Sequence, residues 1–357
     1  MDQIAFALGL LLLVLAFWDL FETVVVPRPT PGWFRIARYL VRGSWTVLRR
    51  IRDGRRGRPA YDVVLGLFAP AATVALLAAW LFSLILGYGL LLYAVRDELQ
   101  PAATDLGATM YFAASSILTL GFGDVVATGT AARIIVITGA VGGLGAVALV
   151  VTFLFSLYGS YQRREVQVVI LQAAAGAPPS AVSLLEAYAM LDLVERLPDL
   201  FRDWQRWSAE VLDSHVAYPL LGYFRSSHDN LSWIGALGAV LDAASLVLTA
   251  IEDVPRGEAK LFKRVGTHLV EDISNLGFRT GESDGLNHAD FEAACYRLRE
   301  AGYRLVAEDV AWPAFEAARA TYAPRLEAMA RYWAMPATSW LGDPVSLRQP
   351  LHPVQDP

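Results

Sequence analysis

Cysteine and charge are both scarce in this chain. Cys295 is the single cysteine among 357 residues, which excludes an internal disulfide and fits a reduced compartment. Charged residues make up 18% of the chain and apolar residues 55%, a more apolar balance than soluble domains usually have. The net charge of −5 argues against nucleic acid as a partner. The composition therefore predicts a membrane protein.

Three runs have little or no charge over the length of a membrane crossing. A helix needs about 20 apolar residues to cross a hydrocarbon core of about 30 Å. The run Ile4–Val26 carries only Asp19 and Glu22, and it lacks the basic start and cleavage site of a signal peptide. The runs Val63–Val95 and Ile134–Tyr158 carry no charge at all. We therefore predict three transmembrane helices.

Two details of these spans leave alternatives open. Pro70 is expected either to kink the middle span or to start it. Asp19 and Glu22 are costly inside a membrane unless they are paired, and arginines such as Arg28 are the expected partners. A proton-relay role for the two acids is the other interpretation.

Arginines set the predicted orientation. Ten of them lie between the first two spans, against the single acid Asp53: Arg28, Arg35, Arg38, Arg42, Arg49, Arg50, Arg52, Arg55, Arg56 and Arg58. Basic loops stay in the cytoplasm, so the N-terminus is predicted outside and the segment after Arg164 inside. The expected location is the plasma or inner membrane of the cell, with a cytoplasmic C-terminal domain.

The arginine-rich loop itself has a helical pattern. Apolar residues recur at near-helical spacing between Trp33 and Ile51, with arginine on the other faces. Trp33 and Trp45 suit the headgroup zone, so we predict an interfacial helix on anionic lipid. The alternative is a loop that only sets the topology.

A short apolar segment between the last two spans cannot cross. Gly107–Leu118 is too short, so it is predicted to dip into the membrane and return. The backbone that follows, Thr119–Gly123, must line a pathway, because lipid offers no partner for its N–H and C=O groups. Gly121 and Gly123 allow conformations in which consecutive carbonyls point toward one axis. Such a ring of oxygens is what a dehydrated cation needs.

The sequence "TLGFGD", Thr119–Asp124, resembles the filter Thr-Val-Gly-Tyr-Gly-Asp of the pore-loop potassium channels. Tyr111 and Phe112 resemble the aromatic pair of that family's pore helix. Gly143 falls where its inner helix has a hinge glycine. The resemblance covers roughly residues 63–160, and bacterial channels with an extra first helix and a helical tail domain are the most similar.

This resemblance implies roles for individual residues. The carbonyls of four residues would coordinate potassium: Thr119, Leu120, Gly121 and Phe122. The Thr119 hydroxyl would be a further ligand. Gly123 would form the outermost turn. Asp124 would lie at the outer mouth, hydrogen-bonded to Tyr111, and Gly143 would be the gating hinge. Close helix packing at Gly143 is compatible with that role.

Three residues depart from the family pattern. Phe122 replaces a tyrosine and so lacks the hydroxyl that braces the filter. Leu118 replaces a threonine, and Ser115 stands where some relatives have a carboxylate. These departures bear on filter stability and inactivation more than on the choice of ion.

The resemblance also implies an assembly. A filter needs four loops around an axis, and this chain has one such motif. The implied state is a homotetramer, since oligomers of one chain close around symmetry axes.

After Tyr161 the chain changes to mixed charge with helical periodicity, which predicts an all-helical cytosolic domain. Leu231–Ile251 is favoured as a buried helix of that domain, since Asp242 at its centre would be costly in a membrane. Two groups of residues form no complete metal-ligand set: His215, His228 and Asp229, and the pair His268 and Glu271. We interpret them as structural residues, with proton or metal sensing as the alternative.

The predicted fold is an all-α membrane protein with three transmembrane helices, a reentrant pore helix and a filter, followed by the helical cytosolic domain. The predicted parts run in this order: the first transmembrane helix, 1–27; the basic interfacial segment, 28–61; the pore module, 62–160; a linker, 161–180; the helical domain, 181–341; and a tail, 342–357.

The predicted function is passive, potassium-selective conduction, with gating modulated by the helical domain and an unknown cytosolic regulator. No catalytic constellation indicates an enzyme, and no cofactor beyond the permeant potassium ion is expected. The alternative is a membrane scaffold, or a lipid- or partner-binding sensor, with a vestigial or non-selective cation pore.

Overall fold

The structure, a computed structural model, describes residues 2–26, 36–53, 59–226, 230–275, 286–336 and 340–342, with side chains for all but 52–53 and 59–62. The predictions for Arg28, Trp33, His228 and Asp229 lie outside these residues, as does the tail beyond Gly342. The chain divides into two compact units, a first unit, Met1–Tyr158, and a second unit, Gly159–Pro357.

The described part of the first unit is almost entirely helical. Its helices are α1 (Gln3–Val24), α2 (Ile36–Asp53), α3 (Pro59–Ala94), α4 (Leu106–Ile117) and the N-terminal part of α5 (Thr130–Ala175). A 3-10 turn, Arg96–Glu98, follows α3, and the strands β1 (Leu99–Gln100) and β2 (Val126–Ala127) pair antiparallel, Leu99 opposite Ala127.

Three helices are long and apolar enough to cross a membrane: Gln3–Val24, Val63–Ala94 and Thr130–Ala175. The three predicted spans are confirmed to this extent. Helix α3 continues through Pro70, so this proline does not start the span. At the start of α1, the Asp2 carboxylate accepts hydrogen bonds from two amides of the first turn, both at 3.2 Å.

Helices α1 and α3 approach closely at two glycines. A Cβ atom at Gly9 would lie 2.7 Å from the Gly87 carbonyl oxygen, and one at Gly87 would lie 2.7 Å from the Leu13 side chain. The same helix pair buries Asp19, whose Oδ2 accepts a hydrogen bond from Trp80 Nε1 at 2.7 Å. Asp19 therefore has a partner on α3 that the sequence did not predict.

Helix α2 corrects one expectation about the arginine-rich segment. Trp45 was predicted to lie in the headgroup zone, but it is buried, with its ring 4.8 Å from that of Phe68 on α3. Packing against α3 removes this indole from solvent and lipid alike. The exposed face of α2 instead carries Tyr39, Val47 and Ile51.

The second unit contains the end of α5 and seven more helices among the described residues: α6 (Ala181–Met190), α7 (Leu197–Ala217), α8 (Trp233–Thr249), α9 (Gly257–Ser274), α10 (His288–Glu300), α11 (Glu308–Ala320) and α12 (Ala323–Trp333). Ser180, Ser232 and Asn287 cap α6, α8 and α10, and Asn287 forms a capping box with Asp290.

Helix α8 is the centre of the second unit. Every residue from Trp233 to Val247 is buried, so the predicted buried helix is confirmed and a fourth crossing is not needed to explain its hydrophobicity. Asp242 is held there by Tyr322 Oη at 2.5 Å and by Arg319 Nε at 3.2 Å. Burial raises the pKa of this carboxyl above its ordinary value, against the opposing effect of Arg319.

The predicted linker, 161–180, is helical as far as Ala175. Val168, Leu171 and Ala175 are buried at helical spacing, and this packing keeps the segment in α5. The helix ends at Gly176, whose φ of 80° is favourable for glycine.

Candidate functional site

A short helix positions the glycine-containing segment that follows it. Helix α4 begins at Asp105, whose Oδ1 accepts a hydrogen bond from Ala108 N at 2.9 Å. The chain then turns back at the end of α4: the amide of Leu120 donates to Ser115 O at 2.8 Å and that of Thr119 to Ser116 O at 3.1 Å. Carbonyls at the end of α4 therefore hold the segment by binding the amides of Thr119 and Leu120.

The segment itself has an alternating backbone. Thr119, Gly121 and Gly123 have φ values of 56°, 61° and 78°, whereas Leu120 and Phe122 lie between them without positive φ. Residues of alternating handedness turn successive peptide planes to the same side, and glycine does this without steric cost. Thr119 adopts it despite its branched side chain.

The carbonyls of this segment remain available. None of the described residues donates a hydrogen bond to a carbonyl oxygen between Thr119 and Phe122. The Thr119 hydroxyl donates to Leu118 O at 2.7 Å, which leaves its oxygen lone pairs free to face a cation. Backbone oxygens and one hydroxyl are hard ligands, suited to an alkali metal ion.

Tyr111 braces the segment from α4. Its hydroxyl donates to Asp124 Oδ2 at 2.9 Å, which confirms the predicted hydrogen bond. Its ring lies nearly parallel to that of Phe122, with an interplanar angle of 4° and a centroid distance of 6.3 Å. Because Phe122 has no hydroxyl, the contact of its ring with Tyr111 takes the place of a hydrogen bond.

The other two residues that depart from the family pattern are Ser115 and Leu118, at the end of α4. Ser115 is buried, and its contribution to the segment is its carbonyl, which accepts from Leu120 N. Leu118 is 40% exposed in the single chain. The predicted roles of Ser115 and Leu118 in filter stability remain predictions.

Gly143 lies directly against the end of α4. A Cβ atom there would be 2.7 Å from Ile117 Cγ2 and 2.8 Å from the Ile117 carbonyl oxygen. Helix α5 runs through Gly143 without interruption. Close packing therefore accounts for the glycine, and the hinge remains a prediction.

Glu98 is a residue that sequence reasoning missed. Its carboxylate Oε2 accepts a hydrogen bond from Ala132 N in the first turn of α5 at 2.9 Å, and its carbonyl accepts from Thr128 N and Thr128 Oγ1, both at 2.8 Å. Glu98 thus joins the segment before α4 to the start of α5. The acid itself was visible in the sequence, but its partner 34 residues away was not.

Arg164 is a second residue whose role the sequence did not reveal. It was interpreted only as a charge at a membrane boundary, yet it is 1% exposed. Its guanidinium donates to the carbonyls of Leu221 at 2.9 Å and Phe224 at 2.8 Å, and it pairs with Glu165 Oε1 at 2.8 Å. It therefore anchors the end of α5 within the second unit.

His215 completes this cluster. Its Nε2 lies 3.1 Å from Arg164 Nη1 and its Nδ1 lies 2.9 Å from Val211 O. A neutral ring with its proton on Nδ1 satisfies both contacts. Burial, followed by the charge of Arg164, holds the pKa of His215 well below its ordinary value. These contacts support the structural interpretation of this histidine.

His268 and Glu271 have different partners. His268 Nε2 lies 3.7 Å from Asp272, whereas Glu271 pairs with Arg325 at 3.2 Å. Within the part of the chain that the structure describes, no group of three His, Cys, Asp or Glu residues is placed to hold a metal ion.

Comparison with known proteins identifies the region that contains this site. Residues 67–159 match a family described as "Ion channel". The matched region runs from α3 through α4 and the glycine-containing segment into α5. It indicates an ion channel and not an enzyme, as the sequence predicted. Searches of curated proteins and of solved structures found no significant match.

Proposed function

We propose that this chain, whose residues 67–159 form an ion-channel domain, is a homotetrameric channel that conducts potassium passively and selectively. One observation carries the proposal: the alternating backbone of Thr119–Gly123 leaves four consecutive carbonyls free of hydrogen bonds from the described residues. Carbonyl oxygens that point toward one axis can replace the hydration shell of a potassium ion. The resemblance of "TLGFGD" to a potassium filter supports the choice of ion.

The resemblance to the potassium channels implies four copies around one axis. One chain supplies one row of carbonyls, and a cation stripped of water needs oxygens on every side. The side chains of Leu120 and Phe122 are exposed in the single chain, Phe122 to 64%, and neighbouring copies would cover them. The ring is therefore complete only in a closed, symmetric assembly.

The experiment is ion uptake by liposomes that contain the purified chain. Rubidium, as a stand-in for potassium, is expected to enter far faster than sodium, and the subunit count in detergent is expected to be four. Equal uptake of rubidium and sodium would point to a non-selective pore. Absence of uptake by a correctly assembled protein would favour the membrane scaffold.

The proposed orientation places the N-terminus outside and the second unit in the cytoplasm. Thr104 and Arg206 are both exposed and give two single-cysteine sites for labelling in a Cys295→Ala background. The native Cys295 would react slowly with the label even if it were retained, because burial raises the pKa of its thiol to about 11. An impermeant maleimide is expected to label position 104 on intact cells and position 206 only after lysis. The reverse pattern would overturn this orientation.

We also propose that α2 contacts anionic lipid. Its exposed face carries the apolar residues Val47 and Ile51, next to the exposed Arg50. Apolar side chains with a flanking cation suit the boundary between acyl chains and acidic headgroups. Uptake that is equal in neutral vesicles and in vesicles rich in acidic lipid would argue against a functional role for this contact.

The second unit is proposed to bias opening, in response to a cytosolic regulator of unknown identity. It can act on α5 because that helix continues into it as far as Ala175. A coupling of about 1–3 kcal/mol would change the ratio of open to closed channels by roughly 5- to 150-fold.

A further inference from the structure

We propose that the exposed face of α5 beyond Arg164 is an interface between copies of this chain. The face consists of Val166, Val169, Ile170 and Ala173 and is called the α5 stripe below. The inference rests on the proposed assembly around a shared pore, and it names a second contact surface, separate from the filter.

The α5 stripe is an apolar surface that its own unit leaves uncovered. Val166 is 58% exposed and Ile170 60% exposed, although both are β-branched apolar residues. Positions 166, 169, 170 and 173 fall on one side of a helix with 3.6 residues per turn. The opposite side, with Val168 and Leu171, is buried within the second unit. The orientation of the helix therefore directs the stripe outward.

Lipid does not account for this exposure. The charge-free run of α5 ends before Arg163, and three of the next residues are charged: Arg163, Arg164 and Glu165. Charged side chains of this density mark the end of a membrane span. The stripe lies after them, on a part of the helix that belongs to the second unit. An apolar surface in water indicates a contact with protein.

The occupant that fits is the same stripe of neighbouring copies. Each copy in the proposed assembly brings its own α5, which starts six residues after Asp124 at Thr130. Leu144, Val151 and Phe155 are also exposed on this helix, so apolar exposure recurs along its length at helical spacing. Valine, isoleucine and alanine at three- and four-residue spacing are suited to packing between parallel helices around an axis.

The test is crosslinking between copies of the full-length chain in a Cys295→Ala background. Val169→Cys places a thiol on the stripe, and Gln167→Cys places one on the same helical turn but on a different side. Oxidation or a short bismaleimide is expected to give covalent dimers and higher species at position 169, with little at position 167. Disulfides form only where Cα atoms approach within about 7 Å, so the contrast reports proximity.

Subunit count and rubidium uptake are measured on the same samples. A selective tetramer that does not crosslink at position 169 or at Val166→Cys would overturn the interface and leave the proposed channel intact. A monomer without uptake would remove the proposed channel, and the interface with it. If crosslinking appears only after residues 343–357 are deleted, the chain's own tail covers the stripe in the intact protein. That result would also overturn the proposal.

Discussion

The two units differ in where their apolar side chains and polar backbone find partners. In the second unit the central helix α8 is fully covered, and its acid, Asp242, is held by Tyr322 and Arg319. In the first unit, helix α5 exposes Ile137, Val141 and Leu144, and the carbonyls of Thr119–Phe122 have no described donor. The second unit thus covers its most apolar helix within the chain, whereas the first leaves apolar side chains and backbone carbonyls exposed in the single chain.

This difference indicates which kinds of substitution each unit tolerates. In the second unit a change to Asp242 or Arg164 is expected to act on folding, because each of these buried charges shares its hydrogen bonds with several partners. In the first unit a change at the filter segment is expected to act on conduction while leaving the single chain folded. The predictions below test this contrast from the largest expected effect to the smallest.

Gly121→Ala is expected to abolish potassium-selective uptake. Gly121 has a φ of 61°, a conformation that costs about 1–2 kcal/mol for a residue with a side chain and that turns its carbonyl toward the proposed ion path. Rubidium and sodium uptake in liposomes measures the loss. The matched control is Gly145→Ala on α5, where an added Cβ would have no neighbour within 4 Å. Selective uptake by the Gly121 variant would refute the carbonyl ring.

Arg164→Met is expected to destabilise the second unit by about 3–5 kcal/mol, since removing one partner from a buried charged cluster leaves the others unsatisfied. The carbonyls of Leu221 and Phe224 and the acid Glu165 would lose their donor. Chemical denaturation followed by tryptophan fluorescence measures the change. Arg163→Met is the control, because Arg163 is exposed and such substitutions usually stay within about 0.5 kcal/mol. Equal stability of the two variants would contradict the anchoring role of Arg164.

His215 is expected to make the second unit less stable in acid. Because the folded pKa lies below the unfolded value of about 6.5, its contribution is complete above that pH and is lost as the pH falls toward the folded pKa. Each pH unit in this window is worth up to about 1.4 kcal/mol. His215→Gln keeps an acceptor for Arg164 but cannot take a proton.

The measurement compares urea midpoints of the two proteins between about pH 7.5 and pH 5.5. The midpoint of the variant is expected to fall less. The raised pKa of Asp242 acts in the opposite direction, favouring the folded state as the pH falls, but it is common to both proteins and cancels. Parallel curves would show that unfolding is not linked to protonation of His215, which would contradict the lowered folded pKa.

Tyr111→Phe is expected to have the smallest effect, because it removes a single, solvent-exposed hydrogen bond. The variant loses the bond to Asp124 and keeps the parallel contact with Phe122. The decline of rubidium uptake with time reports the stability of the filter. Tyr111→Leu removes both contacts and should decline faster. Identical time courses for the two variants would mean that the aromatic contact does not brace the filter.

Much of the first unit could be predicted from the sequence because its signals are local. The absence of charge predicted the spans, and the resemblance of "TLGFGD" to the potassium-channel filter implied the bond between Tyr111 and Asp124. Positive φ at Gly121 and Gly123 followed from glycine itself. The same conformation at Thr119 could not be predicted, because the turn at the end of α4 imposes it on a residue that does not favour it.

The parts that could not be predicted depend on residues far apart in the chain. Trp45 looked like an interfacial tryptophan, but Phe68 on the next helix buries it. Arg164 looked like a boundary charge, but its acceptors lie 57 and 60 residues further along. The segment 161–180 looked like a linker, but the packing of Val168 and Leu171 keeps it helical as far as Ala175. In each case tertiary contacts outweigh what the local composition suggests.

The contact between Gly143 and Ile117 has a mechanical consequence. Ile117 is the last residue of α4, and the filter segment begins two residues later. The backbone of Gly143 lies so close to Ile117 that an added Cβ atom would be 2.7 Å from Ile117 Cγ2, so a bend of α5 toward α4 at this point would press on Ile117. Such a bend would reach Thr119–Gly123 through the end of α4. A gate that bends α5 at Gly143 would therefore change the width of the proposed ion path at two places in one movement: where the helices bend, and at Thr119–Gly123.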